Sequence, residues 1–396
     1  MRALRIHAGP HALAHLAEHG LRPHDVGAVP AAAGGPKGLI LGPLDRFIFG
    51  QWLPQSRQPV HLVGASIGAW RMATACLDDP EAALQALEDA YIRQHYEVPP
   101  GKKRPPAELV SELFSQNLQT FYAGRVGEVL HHPRYRLHLI AARGRHMLGR
   151  EHPLATPVGY LGAFLSNALH RKALGAWLER VVFSSPMQGP GGVAPLPFGT
   201  ADFRTRQVAL TEGNFRAALQ ASCSIPFVLR AVPHIDGAPR GAYWDGGLTD
   251  YHMHLQFNLH QDAMDNVAAR ADRAGAAASS RTQSDAADGD AQKCAGLVLY
   301  PHFQRQVVPG WLDKALRWRH KSTQALESMI VLCPDPEWVK TLPHAKLPDR
   351  QDFVHYGHDL PGRMRAWQAA TSAAQQLADE FAQWLERPDM RQVSSL

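Results

Sequence analysis

The 396-residue chain reads as an α/β protein. A mainly parallel central sheet is expected, covered by helices on both faces in three α/β/α layers. Three observations carry that reading. Short apolar runs are continuous rather than alternating, as in strands buried on both faces. Stretches of helical period separate those runs. The 33 Gly and 30 Pro punctuate the chain into short elements.

Leu4–His7 opens as a short strand. Pro10 begins an apolar-periodic stretch with Leu13 and Leu16 that Gly20 closes, the proline-first, glycine-last pattern of a helix. Val26–Ala32 is a strand of small and β-branched residues that runs into Gly34-Gly35. Val60–Gly64 is a second, running into Ala65-Ser66. Later strands are read at Leu137–Ala142, Val181–Phe183, Gln207–Leu210, Leu297–Tyr300 and Met329–Leu332. Helices are read at Glu81–Arg93, Ala107–Leu118, Leu161–Leu178 and Arg363–Leu385. Segment 266–293, rich in Ala, Asp, Ser and Arg and almost free of large apolar residues, reads as a flexible surface insertion.

Composition excludes several classes. With 45% hydrophobic and 19% charged residues the chain can build a core. Four cysteines, at 76, 223, 294 and 333, form no C-x-x-C pair and suit reduced thiols. A net charge of +5 is mild, and the one dense basic run, Lys102-Lys103-Arg104, lies between proline pairs. It reads as a solvated loop or, as the alternative, a contact with an anionic surface such as lipid headgroups, and not as the patch of a nucleic-acid binder. No stretch reaches the roughly 18 apolar residues of a membrane span. Histidines and Glu18 interrupt any apolar leader near the N-terminus, so a cytoplasmic location without a signal peptide is expected.

Two turns carry candidate chemistry. Ala31–Gly38 stands where a strand hands over to a helix, and consecutive glycines there can aim backbone N–H groups at a phosphate or a developing oxyanion. It matches neither nucleotide-binding glycine pattern, and taken alone it is also readable as a structural turn. Gly64-Ala65-Ser66-Ile67-Gly68 is a G-x-S-x-G turn between strand and helix, which would present the Ser66 hydroxyl clear of the sheet edge. A serine needs a base. Asp245, at the end of an apolar stretch and before Gly246-Gly247, supplies a carboxylate. His252 and His254 supply imidazoles shortly after it, so the order Ser–Asp–His of an α/β-hydrolase triad is available too.

Taken together, Ala33-Gly34-Gly35-Pro36-Lys37-Gly38, Gly64–Gly68 and Asp245-Gly246-Gly247 resemble, in order, the glycine loop, nucleophile elbow and D-G-[GA] motif of the patatin-like phospholipase family. Ala221-Ser222-Cys223-Ser224-Ile225-Pro226 looks like its A-S-x-x-x-P block. The resemblance covers about residues 22–255 and implies a single patatin-like α/β/α domain over 1–396, with a C-terminal extension. It implies a Ser–Asp dyad in a carboxylic ester hydrolase of lipids, with Ser66 as nucleophile and Asp245 as general base. Oxyanion or substrate contacts are implied for Gly34, Gly35, Lys37 and Gly38, with no metal and no other cofactor. Ala33 departs from the first glycine, Pro36 has no N–H to donate, and Leu248-Thr249-Asp250 departs from the usual Asn and Pro.

The expected substrate is an acyl-ester lipid. Tyr160–Phe183 sets Leu161, Phe164, Leu165, Leu169, Leu174, Trp177 and Leu178 among basic residues. It reads either as a helix packed on the sheet or as one that touches a membrane surface. Ser184–Gly199 reads as an active-site loop or lid. Two other functions stay open: a Ser–His–Asp α/β-hydrolase esterase, and a lipid-binding module of the same fold without turnover.

Overall fold

A sheet runs through the whole chain. Its strands are β1 (Leu4–Ala8), β2 (Val26–Ala31), β3 (Val60–Gly64), β4 (Tyr135–Gly144), β5 (Leu178–Ser184), β6 (Thr205–Ala209), β7 (Tyr243–Asp245), β8 (Leu297–Pro301), β9 (Met329–Pro334) and β10 (Val393–Ser395). The computed structural model describes residues 1–102, 104–187, 192–259 and 295–396. The segment 266–293 read as an insertion, Cys294, Lys103 of the basic run and residues 188–191 of the Ser184–Gly199 loop lie outside them.

Neighbours along the sheet follow the order β10-β1-β9-β8-β2-β3-β4-β5-β6, with β7 paired to β4 off that path. Among the described residues, only the strand pairs β1–β9, β4–β5 and β4–β7 are antiparallel, so the sheet is mostly parallel. β2, β5, β8 and β9 are buried along their whole length, which is why they read as continuous apolar runs. β10 is short, Val-Ser-Ser, and half-exposed, and it left no periodic signal.

Two expected helices are corrected. Arg363–Leu385 is two helices, Leu360–Ala373 and Gln375–Glu386, that meet at Ala374. Leu161–Leu178 is a helix over Ala155–Leu169, an extended break at His170, a 3-10 turn over Arg171–Ala176 and then the first residue of β5. The break lets the chain fold back on itself. Trp177 covers Gly162 and its indole N–H donates to Ser166 Oγ at 2.9 Å. Its apolar character serves that fold-back and does not extend the helix.

β4 sets up the site. Its first half pairs with β3, in parallel, up to Leu139 opposite Gly64. Its second half pairs with β7, antiparallel, so that Asp245 lies opposite Ala141. The ends of β3 and β7 therefore stand two residues apart along the same edge of one strand.

Candidate active site

Ser66 follows the end of β3 and caps the helix Ile67–Ala75, with φ 57° and ψ −131°. A non-glycine residue there is strained and persists only where its surroundings hold it. The restraint comes from the end of the helix Glu212–Cys223. Ser66 N–H donates to both the carbonyl oxygen and the hydroxyl oxygen of Ser222, at 3.0 and 3.1 Å. Ser222 Oγ in turn donates to the Ile140 carbonyl of β4 at 2.6 Å. Gly68 is required by contact: a Cβ there would fall 2.1 Å from the Ala31 carbonyl oxygen at the end of β2.

Asp245 ends β7, and its N–H donates to the Ser224 carbonyl at 2.8 Å. The segment Ser222–Ser224 thus fastens both Ser66 and Asp245. Oδ1 of Asp245 accepts the Gly247 N–H at 2.7 Å, and the Ser66 side chain lies near enough to the carboxylate to lower its pKa. Burial raises the Asp245 pKa above the usual carboxylate value. The Ser66 side chain, the Gly247 hydrogen bond and the charges of Arg350 and Lys314 offset part of that rise. His252 and His254 turn elsewhere. His252 Nδ1 accepts the Val308 N–H at 3.1 Å, and His254 Nε2 lies 2.8 Å from the Thr323 hydroxyl.

The glycine loop begins a 3-10 turn, Gly35–Leu41, whose first N–H groups have no earlier carbonyl in the turn to bond. Gly35 takes φ +59° with the Arg350 side chain over it. Ala33 is tolerated because its φ is not positive; its N–H donates to the Tyr251 carbonyl at 2.9 Å and its Cβ lies beside Gly247.

A cavity of about 200 Å³ opens here, lined in part by Gly34, Lys37, Ile225, Pro226, Asp245, Tyr251, Trp311, Lys314 and Arg350. Gly35 and Gly38 do not line it, and Gly38 packs on Ile67. Asp245, 6% exposed, lines the cavity, and Ser66, 3% exposed, does not. None of the described residues of Ser184–Gly199 lines the cavity. Lys314 Nζ lies 4.0 Å from the Tyr251 ring centroid, and Lys37 Nζ lies 5.4 Å from that of Phe303. Desolvation, then the charges of Arg350 and Lys37, bring Lys314 down to about 8.

A model of the patatin-like phospholipase family matches residues 33–253, more than half of the chain. The chain belongs to the patatin-like phospholipase family. No curated protein matches it. The mostly parallel sheet with helices is the α/β/α fold expected of a patatin-like protein, and family membership indicates a lipid acyl hydrolase in general terms. Among the described residues, no helix is long and apolar enough to cross a membrane.

The patatin-like segment supplies Ser66, Asp245 and the glycine loop. Trp311, Lys314 and Arg350 lie beyond it, and sequence reasoning missed them. They sit in loops without a motif, so only the folded chain brings them to the cavity. Ser222 stands in the A-S-x-x-x-P block, which by itself gives it no role. Asp250, where the sequence departs from the usual turn, is buried against Arg180. Its Oδ2 and Oδ1 accept from Nε and Nη2 at 2.7 and 2.6 Å.

Proposed function

We propose that the protein is a serine acyl hydrolase of the phospholipase A or lipid-esterase type, working through a Ser66–Asp245 dyad. One observation carries the reading: a serine on a strained strand-to-helix turn has beside it a buried carboxylate whose proton affinity is raised by burial and lowered in part by that serine. Ser66 Oγ attacks the ester carbonyl carbon while Asp245 takes the hydroxyl proton. The negative oxygen of the tetrahedral intermediate is assigned to backbone N–H groups of the glycine loop, at Gly34 and Gly35 first and then Lys37 and Gly38, of which Gly34 and Lys37 line the cavity. Its collapse breaks the bond to the alcohol, which leaves with the proton from Asp245. Water then attacks the acyl-Ser66 ester, again giving its proton to Asp245; collapse breaks the acyl–Oγ bond, Asp245 returns the proton to Ser66 Oγ, and the fatty acid is released.

Three cations, Lys37, Lys314 and Arg350, line the cavity against two carboxylates, Asp245 and Asp349, and that excess of positive charge supports an ester that bears an anionic group, as a phospholipid does. The two nearest histidines in sequence bond to Val308 and Thr323, so the Ser–His–Asp reading has no support from them.

The test is fatty-acid release from phospholipid vesicles, and hydrolysis of short p-nitrophenyl esters, by wild type, Ser66→Ala and Asp245→Asn. Both variants are expected to lose activity by ~10³-fold or more while staying folded. Ser66→Ala at wild-type rate on every ester would remove the proposal. Loss of activity on replacing one histidine, with Asp245→Asn active, would replace the dyad by a triad.

A further inference from the structure

The helix Ala155–Leu169 contains no charged residue, and its polarity is turned inside out. Leu154, at its N-cap, and Val158, Leu161, Leu165 and Leu169 are between 56% and 88% exposed. At 100° per residue these five positions fall within an arc of about 80°. The opposite face, with Gly159, Tyr160, Ala163 and Asn167, is the buried one. The outer apolar stripe is therefore not the core face of an amphipathic helix. A contiguous exposed row of leucines on a water-borne surface is costly unless something covers it.

A further exposed apolar side chain stands between this helix and the cavity. Phe227, 56% exposed and held at φ 66°, has its ring 5.8 Å from that of Tyr160, and it directly follows Pro226 of the cavity wall. On the other side, Arg319 Nη2 donates to the Asn167 carbonyl at 2.6 Å. That bond brings the segment Lys314–Lys321 to the C-terminal end of the helix. Trp318 within it is 62% exposed.

Charge identifies the occupant. Lys172, Arg317 and Lys321 are exposed around the apolar row, and the exposed residues of Lys314–Lys321 include no acid. Packing this face on a second copy about a two-fold axis would bring like charges together. A sheet of lipid headgroups with anionic members complements it, with leucines and tryptophan entering the headgroup–acyl boundary. We infer that the face formed by the Leu154–Leu169 row, Phe227 and Trp318 docks the protein on an anionic lipid surface, with the cavity mouth turned toward that surface. The helix is pinned from behind. Asn167 Nδ2 donates to Asp313 Oδ1 at 2.8 Å, and Trp177 packs on Gly162. Docking therefore needs no opening of the fold.

Vesicle binding tests this apart from turnover, on protein carrying Ser66→Ala. Co-sedimentation is measured with phosphatidylcholine vesicles and with phosphatidylcholine–phosphatidylglycerol vesicles, at low and high salt. Tighter binding to the second kind, weakened by salt, is expected. Adding Leu161→Ser and Leu165→Ser should weaken it on the order of tenfold or more. Adding Lys172→Gln, Arg317→Gln and Lys321→Gln should remove the preference for anionic vesicles. In protein with Ser66 intact, the leucine substitutions should leave hydrolysis of a soluble p-nitrophenyl ester unchanged, which also shows that they fold. Unchanged vesicle binding by the leucine variant overturns the inference. So does a stable dimer in solution that the same substitutions dissociate while neither protein binds vesicles.

Discussion

Asp245 is held between opposed influences. Burial raises its pKa, whereas the Ser66 side chain, the Gly247 hydrogen bond and the charges of Arg350 and Lys314 lower it. A general base must be ionised, so kcat/KM should fall as pH drops through that raised value. Arg350→Gln removes a cation, raises the Asp245 pKa further and moves the acid limb to higher pH. A limb that stays in place, or moves to lower pH, speaks against Asp245 as the titrating base. Stability follows the same group. Its proton is held more tightly in the folded chain, so stability declines as pH rises from the unfolded value through the folded one. Above that window the full cost of a buried carboxylate remains. Asp245→Asn should therefore melt a few degrees higher than wild type at neutral pH, with no such gain in acid. Ser66 and Asp245 were legible because each sits beside glycines at the end of an apolar run. Arg350 and Lys314 were not, since their role depends on where two loops come to rest.

At the scale of elements, the site is a junction of strand ends. β2 ends at Ala31, β3 at Gly64 and β7 at Asp245, and the helix Ile67–Ala75 starts in the space they leave. Gly68 lets that helix approach β2. Gly68→Ala would set a Cβ 2.1 Å from the Ala31 carbonyl oxygen, a backbone atom that cannot rotate away. We expect it to cost about 1–3 kcal/mol in denaturant unfolding. Ester hydrolysis should fall with it, because the helix start carries the Ser66 elbow. Wild-type stability would mean that the junction yields more easily than its contacts imply. The G-x-S-x-G pattern made this junction readable in advance, as its glycines report close backbone approach. Element ends were less readable. The break at His170 and the junction at Ala374 each occupy one residue, below what an apolar period of 3.6 can register.

For the whole molecule, the decisive fact is strand order. β1 reaches the rest of the sheet only through β9 and β8, and β8 pairs directly with β2. β2, which directly precedes the patatin-like segment at 33–253, therefore has its other edge covered by strands that follow that segment in sequence. Buried charge ties the same regions together. Asp313, fully buried, pairs with Arg171 at 2.9 Å and with Arg319 at 2.8 Å, so a side chain from beyond the family segment neutralises one within it. Removing one partner of a buried ion pair costs about 3–5 kcal/mol. Sequence motifs locate the family segment but cannot show that dependence, because pairing between distant strands leaves no local pattern. A chain ending at Asn258 would expose the β2 edge, release β1 and strand Arg171 without Asp313. It is expected to lack a cooperative thermal transition and to aggregate through the bare edge. Adding 295–396 as a separate polypeptide during refolding should restore the transition and the hydrolysis of soluble esters. Should residues 1–258 alone melt cooperatively with native-like circular dichroism, the family segment folds without its C-terminal strands, and Lys314 and Arg350 become additions to a finished site instead of part of one built in common.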